Sequence, residues 1–238
     1  MSPLGMMQDT SKNVLVTASS HGLGVAIAKK FSDGGYGVII HGRSAEKIEF
    51  AKKNIDNIIC TIQGDVRDEA TVESMQESVV KHNVSVLVNN AAIPCYGIPL
   101  SQMSIDQVTT SLITNLISPI ALTHRLYCDL AKNGFGGIIN INSITGIEPK
   151  RNRSVHSAAK WGLRGFSKSL RIEAKGDNMR VMNVYPTRIR TVKEYTYGLA
   201  PKMVADLIYK EFHDPNGLDE LVIDGRPEEF RPLEEYKA

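Results

Sequence analysis

Seven short apolar, β-branched runs recur along the chain, at residues 13–18, 37–42, 57–62, 84–88, 137–142, 180–184 and 220–224. Stretches with apolar residues at helical spacing separate most of them, at 25–32, 45–54, 68–82, 105–132, 154–174 and 201–212. Continuous apolar runs are the mark of strands buried on both faces, and only helices between parallel strands bury both faces at once. The alternation therefore predicts an α/β fold: a doubly wound parallel sheet covered by helices on each side. The stretch 105–132 is long enough for two helices, and Pro119 should kink it just after Asn115. With 238 residues and 42% hydrophobic content, one domain and one core suffice. That domain is expected over 13–238, preceded by a loose tail at 1–12 and ending in a polar tail from residue 224.

Sheets of this kind bind ligands beyond the carboxyl ends of their strands. Gly22, Arg43, Asp65, Asn89, Ser143 and Thr191 all fall at expected strand ends. The first run leads through Ser19, Ser20 and His21 into Gly22-Leu23-Gly24 and a helix. Strand, glycine turn and helix place a phosphate on a helix N-terminus, and the two glycines permit close approach of backbone to a pyrophosphate. Two glycines alone also occur in turns that bind nothing. Arg43 and Ser44 follow the second strand, where an acid would hold ribose hydroxyls; a cation suits a 2′-phosphate. Arg43 thus favours NADP(H) over NAD(H), against the reading of an ordinary surface arginine. Asp65, before Val66, can accept from an adenine amino group or cap the next helix, and the adenine contact is favoured. After the fourth strand, Asn89-Asn90-Ala91-Ala92 joins amides that pin a turn to small residues that let a flat ligand pass.

The stretch from Ser154 to Lys160 carries the acid/base chemistry. His156 and Lys160 stand four residues apart, on one face of a helix. Upstream, Ser143 ends the fifth apolar run with a hydroxyl. The bland reading is a polar helix start capped by Ser154. Asn115 lies among Leu112, Ile113, Leu116 and Ile117, so its amide is satisfied locally or holds a water.

The formal net charge of +2 gives no bulk attraction to nucleic acid. No apolar run matches a membrane span, and the first residues lack the apolar core of a secretory signal. Cys60, Cys95 and Cys128 are scattered, odd in number and outside any metal spacing, which reads as reduced thiols in a cytoplasmic protein without a metal site.

Taken together, these pieces resemble the short-chain dehydrogenase/reductase family over nearly the whole chain. The family's glycine turn, T-G-x-x-x-G-x-G, corresponds to Thr17 through Gly24; its N-N-A-G to Asn89 through Ala92; its helix asparagine to Asn115; its strand-end serine to Ser143; its Y-x-x-x-K to His156 through Lys160; and its P-G-x-V-x-T to Pro186 through Thr191. The resemblance implies a Rossmann-like single domain that passes a hydride between nicotinamide and a carbonyl or carbinol carbon. It implies cofactor contacts at Thr17, Ser19, Ser20, His21, Gly22, Leu23, Gly24, Arg43, Ser44, Asp65, Val66, Asn89, Ala91, Lys160, Pro186, Thr187, Ile189 and Thr191. Lys160 would bind the nicotinamide ribose and lower the pKa of the acid/base group, Ser143 would bond the substrate oxygen, and Asn115 would hold a water joining Lys160 to solvent. Family members commonly form dimers or tetramers, and the helices carrying Asn115 and His156 would supply the contacts.

Four departures stand out. Ala18 replaces the first glycine and Ala92 the last of the second motif, both mild changes, and Thr187 replaces the glycine after Pro186. His156 stands where the family's proton-transferring tyrosine belongs. A phenol titrates near ~10 and an imidazole near ~6.5, so a cation beside His156 pushes an already suitable pKa lower. Imidazole is also shorter than phenol, so a shifted substrate or a bridging water would be needed. Three readings follow: His156 as acid/base of a genuine reductase; retained cofactor with non-redox chemistry, an elimination or epimerisation; or a catalytically inactive binding protein. Tyr96, Tyr185, Tyr195 and Tyr197 are further sources of a phenol. Lys150, Arg151 and Arg153 on one side of the site, and Arg188, Arg190 and Lys193 on the other, read as an anion-drawing mouth for a carboxylate- or phosphate-bearing substrate, or as solvated surface charge. Only Glu148 and Glu194 oppose them, and 191–200 reads as a short lid.

Overall fold

The computed structural model describes residues 12–132, 136–191 and 197–226. Seven strands, β1 (Asn13–Val16), β2 (Gly37–Gly42), β3 (Ile58–Gln63), β4 (Val84–Asn89), β5 (Gly136–Ile141), β6 (Met179–Pro186) and β7 (Glu220–Ile223), form one sheet in the order β3-β2-β1-β4-β5-β6-β7. Every pairing is parallel. Chain order reverses between β1 and β4, which opens a crevice at their carboxyl ends.

The period of two along each strand splits the core into two layers. Val14 and Val16 face one side with Ile27, Phe31, Ile208 and Phe212; Leu15 faces the other with Met75, Leu126 and Leu170. Helices α1 (Gly22–Asp33), α2 (Ala45–Lys52) and α7 (Pro201–His213) cover the first face. The second is covered by α3 (Glu69–Lys81), α5 (Ser118–Ala131) and α6 (Ser154–Ala174). Gly137 sits in β5 because a Cβ there would lie 2.5 Å from the Phe212 ring.

Several boundaries differ from the sequence reading. β1 stops at Val16 because Thr17 and Ala18 already belong to the turn, and α1 starts at Gly22, not Val25. The stretch 105–132 divides before Pro119: α4 (Ile105–Leu112) runs through a π-helical turn, Ile113–Ile117, into α5. Pro119 has no N–H to offer the Asn115 carbonyl one turn back, so the ladder widens there instead of kinking afterwards. β5 ends at Ile141, two residues short of Ser143, which caps a short 3-10 turn at Ile144–Gly146. Arg153, not Ser154, is the N-cap of α6. Residues 1–11, 192–196 and 227–238, and with them most of both expected tails and half of the expected lid, lie outside the described residues. Among the described residues no helix is long and apolar enough to cross a membrane.

Candidate active site

The glycine turn is held by a dense set of hydrogen bonds. Thr17 Oγ1 accepts from the backbone N–H of Asn90 and of Ala91, each at 2.9 Å, and donates to the Val88 carbonyl at 3.3 Å. Ser19 Oγ donates to the Val16 carbonyl at 2.7 Å and accepts from the His41 N–H at 2.9 Å. Two further residues complete the brace: Asn90, whose amide pins the turn as its position suggested, and His41, which had no role in the sequence reading. The Asn90 side-chain amide donates to the Thr17 and Ala18 carbonyls at 2.9 and 3.1 Å. His41 Nδ1 accepts from the Ala18 N–H at 3.0 Å, which places its proton on Nε2, 3.0 Å from the Gly64 carbonyl. Burial lowers the His41 pKa and so favours this neutral form. The available signal was a polar residue inside the apolar run 37–42.

Ala18 sits at φ 50°, the left-handed region in which glycine carries no penalty. A Cβ on Gly24 would lie 2.2 Å from the Ala18 carbonyl oxygen, so backbone packs directly on backbone there. Gly22, at φ 60°, faces the Thr191 methyl. His21 is the N-cap of α1 but supplies no side-chain cap, and the first turn holds no acid. The leading N–H groups of a 12-residue helix are thus left by its own side chains to an anion, as a pyrophosphate requires. Ser20 Oγ lies 3.4 Å from His21 Nδ1, and Leu23 is buried in the core.

At the end of β2, Arg43 is exposed, its Nη1 3.6 Å from Asp65 Oδ2, and Ser44 caps α2 by accepting from the Lys47 N–H. Asp65 is held by Arg67, whose Nε and Nη2 each donate at 2.9 Å; that guanidinium keeps its carboxyl below the usual range. Val66 is buried, and with Thr17, Asn89, Ala91, Thr114 and Ser118 it lines a small cavity in which the buried Thr114 hydroxyl has no partner among the described residues. Asn89 points into the protein, donating to Thr123 Oγ1 at 3.0 Å and Asn140 Oδ1 at 2.8 Å.

Across the crevice the arrangement is looser. Ser143 Oγ accepts from the Thr145 N–H at 3.2 Å and the Thr145 hydroxyl at 2.9 Å, leaving its own proton to donate elsewhere. The Lys160 ammonium is buried and donates to the Ile141 carbonyl at 3.0 Å; burial pulls its pKa down to about 8. His156 is buried, and its Nδ1 has no hydrogen-bond partner among the described residues. Burial first, then the charges of Lys160 and Arg153, push its pKa down to about 4. The ring is therefore neutral at physiological pH. Tyr96 meets it edge-on with centroids 5.9 Å apart, and the Arg153 guanidinium lies 4.7 Å from the Tyr96 centroid. Asn115 exchanges hydrogen bonds with the Ile93 backbone, both at 3.1 Å, and donates to Ser111 Oγ at 3.2 Å.

On the third wall, Pro186 ends β6, Thr187 receives Gly225 N–H at its hydroxyl, Ile189 bridges to Leu199, and the Thr191 N–H donates to the Ile189 carbonyl. Tyr185 is buried with its hydroxyl on Glu220, 2.7 Å away, and Tyr197 lies beneath Arg188, which leaves Tyr96 beside the imidazole. Tyr195, Lys193 and Glu194 fall outside the described residues. Glu148 is paired through both oxygens with Arg226, a residue with no role in the sequence reading, and Arg226 also holds Asp224.

Residues 12–197 match the family model described as short chain dehydrogenase. The NADP-dependent 3-hydroxy acid dehydrogenase YdfG of Salmonella typhi is 33% identical over 175 residues, covering 73% of this chain and 71% of that protein. Sulfoacetaldehyde reductase 2 of Chromohalobacter salexigens is 29% identical over 203 residues, covering 83% and 81%. Among solved structures, the serine dehydrogenase of Escherichia coli superposes with a TM-score of 0.79 at 29% identity, covering 89% of this chain and 96% of that one.

Proposed function

This chain belongs to the short chain dehydrogenase family, and from that premise we propose that it is an NADP(H)-dependent oxidoreductase interconverting an alcohol and a carbonyl on a small anionic substrate, with His156 as the acid/base group. The observation that carries the reading is the pair of a neutral imidazole with an unbonded ring nitrogen and a buried ammonium one helical turn away. Retention of Ser143 and Lys160 supports turnover over a decayed site. The names of the relatives support the substrate class and the cofactor: hydroxy acid, sulfoacetaldehyde, NADP.

The residues present fit the dinucleotide. Ser20, His21, Gly22 and Leu23 offer the open helix N-terminus to the pyrophosphate. Gly24, Thr17, Ser19, Asn89 and Ala91 shape the floor, and most of their polar groups serve the protein itself. Arg43 and Ser44 take the 2′-phosphate, Asp65 and Val66 the adenine, and Lys160, Pro186, Thr187, Ile189 and Thr191 the nicotinamide end. When bound, the cofactor supplies or accepts the hydride at the substrate carbon.

The chain's own groups handle the proton. Ser143 donates its free O–H to the substrate oxygen and orients it. His156, neutral, removes the hydroxyl proton as the alcohol is oxidised, directly or through one water to make up its shorter reach. Lys160 holds positive charge beside the developing alkoxide. The Asn115 carbonyl, which Pro119 cannot serve, is the group that would hold a water behind Lys160.

The test is turnover of a 3-hydroxy acid with NADP+ by the parent, His156→Phe and Lys160→Met, with nucleotide binding followed separately. Both variants should lose at least ~100-fold in kcat/KM, the usual worth of a placed acid/base group; His156→Phe should keep nucleotide binding, whereas Lys160→Met, at a residue that holds the nicotinamide end, should weaken it. Unchanged turnover in His156→Phe would remove the imidazole from the mechanism. Nucleotide binding without turnover in the parent would instead favour a binding protein, and product formation without net cofactor oxidation or reduction would favour elimination or epimerisation.

A further inference from the structure

The mouth of the site carries more positive than negative charge near His156. Glu148 and Asp224 are both engaged by Arg226. Lys150 is half-buried beside Arg226, and its pKa is lowered by burial first and then by that neighbouring charge. Arg153, also half-buried, has no carboxylate within ion-pair distance among the described residues. It is the N-cap of α6, so its backbone is fixed by the helix that carries His156 and Lys160. Its guanidinium lies on the Tyr96 face, and the Tyr96 ring meets the His156 ring edge-on. A stacked guanidinium has its direction set by the ring while its N–H fork stays available for a planar or tetrahedral anion.

We propose that Arg153, oriented on Tyr96 beside His156, is the residue that selects anionic substrates by gripping their carboxylate or sulfonate. The proposal rests on the oxidoreductase reading for the position of the reacting carbon. The guanidinium and the imidazole flank one ring, 4.7 Å and 5.9 Å from the Tyr96 centroid, so an anion held by Arg153 lies close to the proton-transferring side chain. Arg153's charge also reaches His156, where it lowers the ring's pKa, so the two residues share one electrostatic environment. Arg151, two residues away, is exposed and makes no such stack among the described residues; it separates this assignment from a general attraction by surface charge.

Calorimetric titration of a 3-hydroxy acid, and separately its methyl ester, into the protein with NADPH tests the assignment, because two reduced partners cannot react. The parent and Arg151→Ala should bind the acid equally and the ester at least about tenfold more weakly. Arg153→Ala and Arg153→Gln should lose on the order of 10- to 100-fold for the acid and bring it to the level of the ester, as expected for one charge-assisted pair. Arg153→Lys should fall between, keeping charge without the planar fork. Undiminished acid binding in both Arg153 variants, an equal loss for acid and ester, or no acid binding by the parent overturns the proposal. Selective acid binding without any turnover of the acid with NADP+ overturns the oxidoreductase reading and leaves the anion site standing.

Discussion

The two banks of the crevice are built in opposite ways. On the glycine-turn side, Thr17, Ser19, His41 and Asn90 all have protein partners, and backbone packs against backbone at Gly24. On the α6 side, among the described residues, His156 Nδ1 and Ser157 Oγ are buried without a partner, and the Lys160 ammonium is buried against the Ile141 carbonyl. Unpaired buried polar atoms cost stability, so a protein keeps them where a ligand or a reaction will use them. The first bank is a closely paired frame, in the proposed reading the element that shapes nucleotide binding. The second, in that reading, keeps its chemical groups unpaired at the expense of local stability.

If that contrast is right, the largest stability effect should come from the second bank. The folded His156 pKa, about 4, lies below the ~6.5 of an unfolded histidine, so the unfolded chain takes up the proton first. Its contribution is complete above ~6.5 and is lost as pH falls toward about 4, below which it levels off. The difference in unfolding free energy between the parent and His156→Phe should shift across that window by up to about 3 kcal/mol. Denaturant titrations at a series of pH values measure it, and a flat difference curve would mean the imidazole is solvated rather than held neutral.

Next in size is the first bank. Thr17→Val removes the one acceptor shared by the Asn90 and Ala91 N–H groups and should cost about 2 kcal/mol in denaturant unfolding. It should also weaken nucleotide binding, because the β1 and β4 loops lose their common anchor. A cost below about 0.5 kcal/mol would show that water replaces the hydroxyl and that this side is no more tightly built than the other. Smallest is Ala18→Gly. Relief of the left-handed strain at φ 50°, less the added freedom of unfolded glycine, should stabilise the protein by about 0.5 kcal/mol. A loss of stability would place the strain elsewhere.

Much of this was legible in the chain before any coordinates. Apolar β-branched runs alternating with amphipathic stretches dictated parallel strands buried on both faces, because no other pairing hides every side of such runs. That Gly22, Arg43, Ser143 and Thr191 lie beyond the carboxyl ends of strands followed from that alternation, though the strands stop earlier than expected at β1 and β5. Spacing alone put His156 and Lys160 on one helical face. The break in 105–132 was expected but misplaced: a proline marks the lost donor, while the π turn that answers it depends on how the neighbouring helices pack.

Other features required the tertiary fold, since they join residues far apart in sequence. Nothing local to His41 says that its ring bridges Ala18 and Gly64, or near Arg226 that it engages Glu148. The sequence supplied the kinds of chemical group and the order in which strands deliver them. Folding decided which buried atoms would be paired and which left open, because hydrogen bonding and desolvation depend on distances in space and not on separation along the chain.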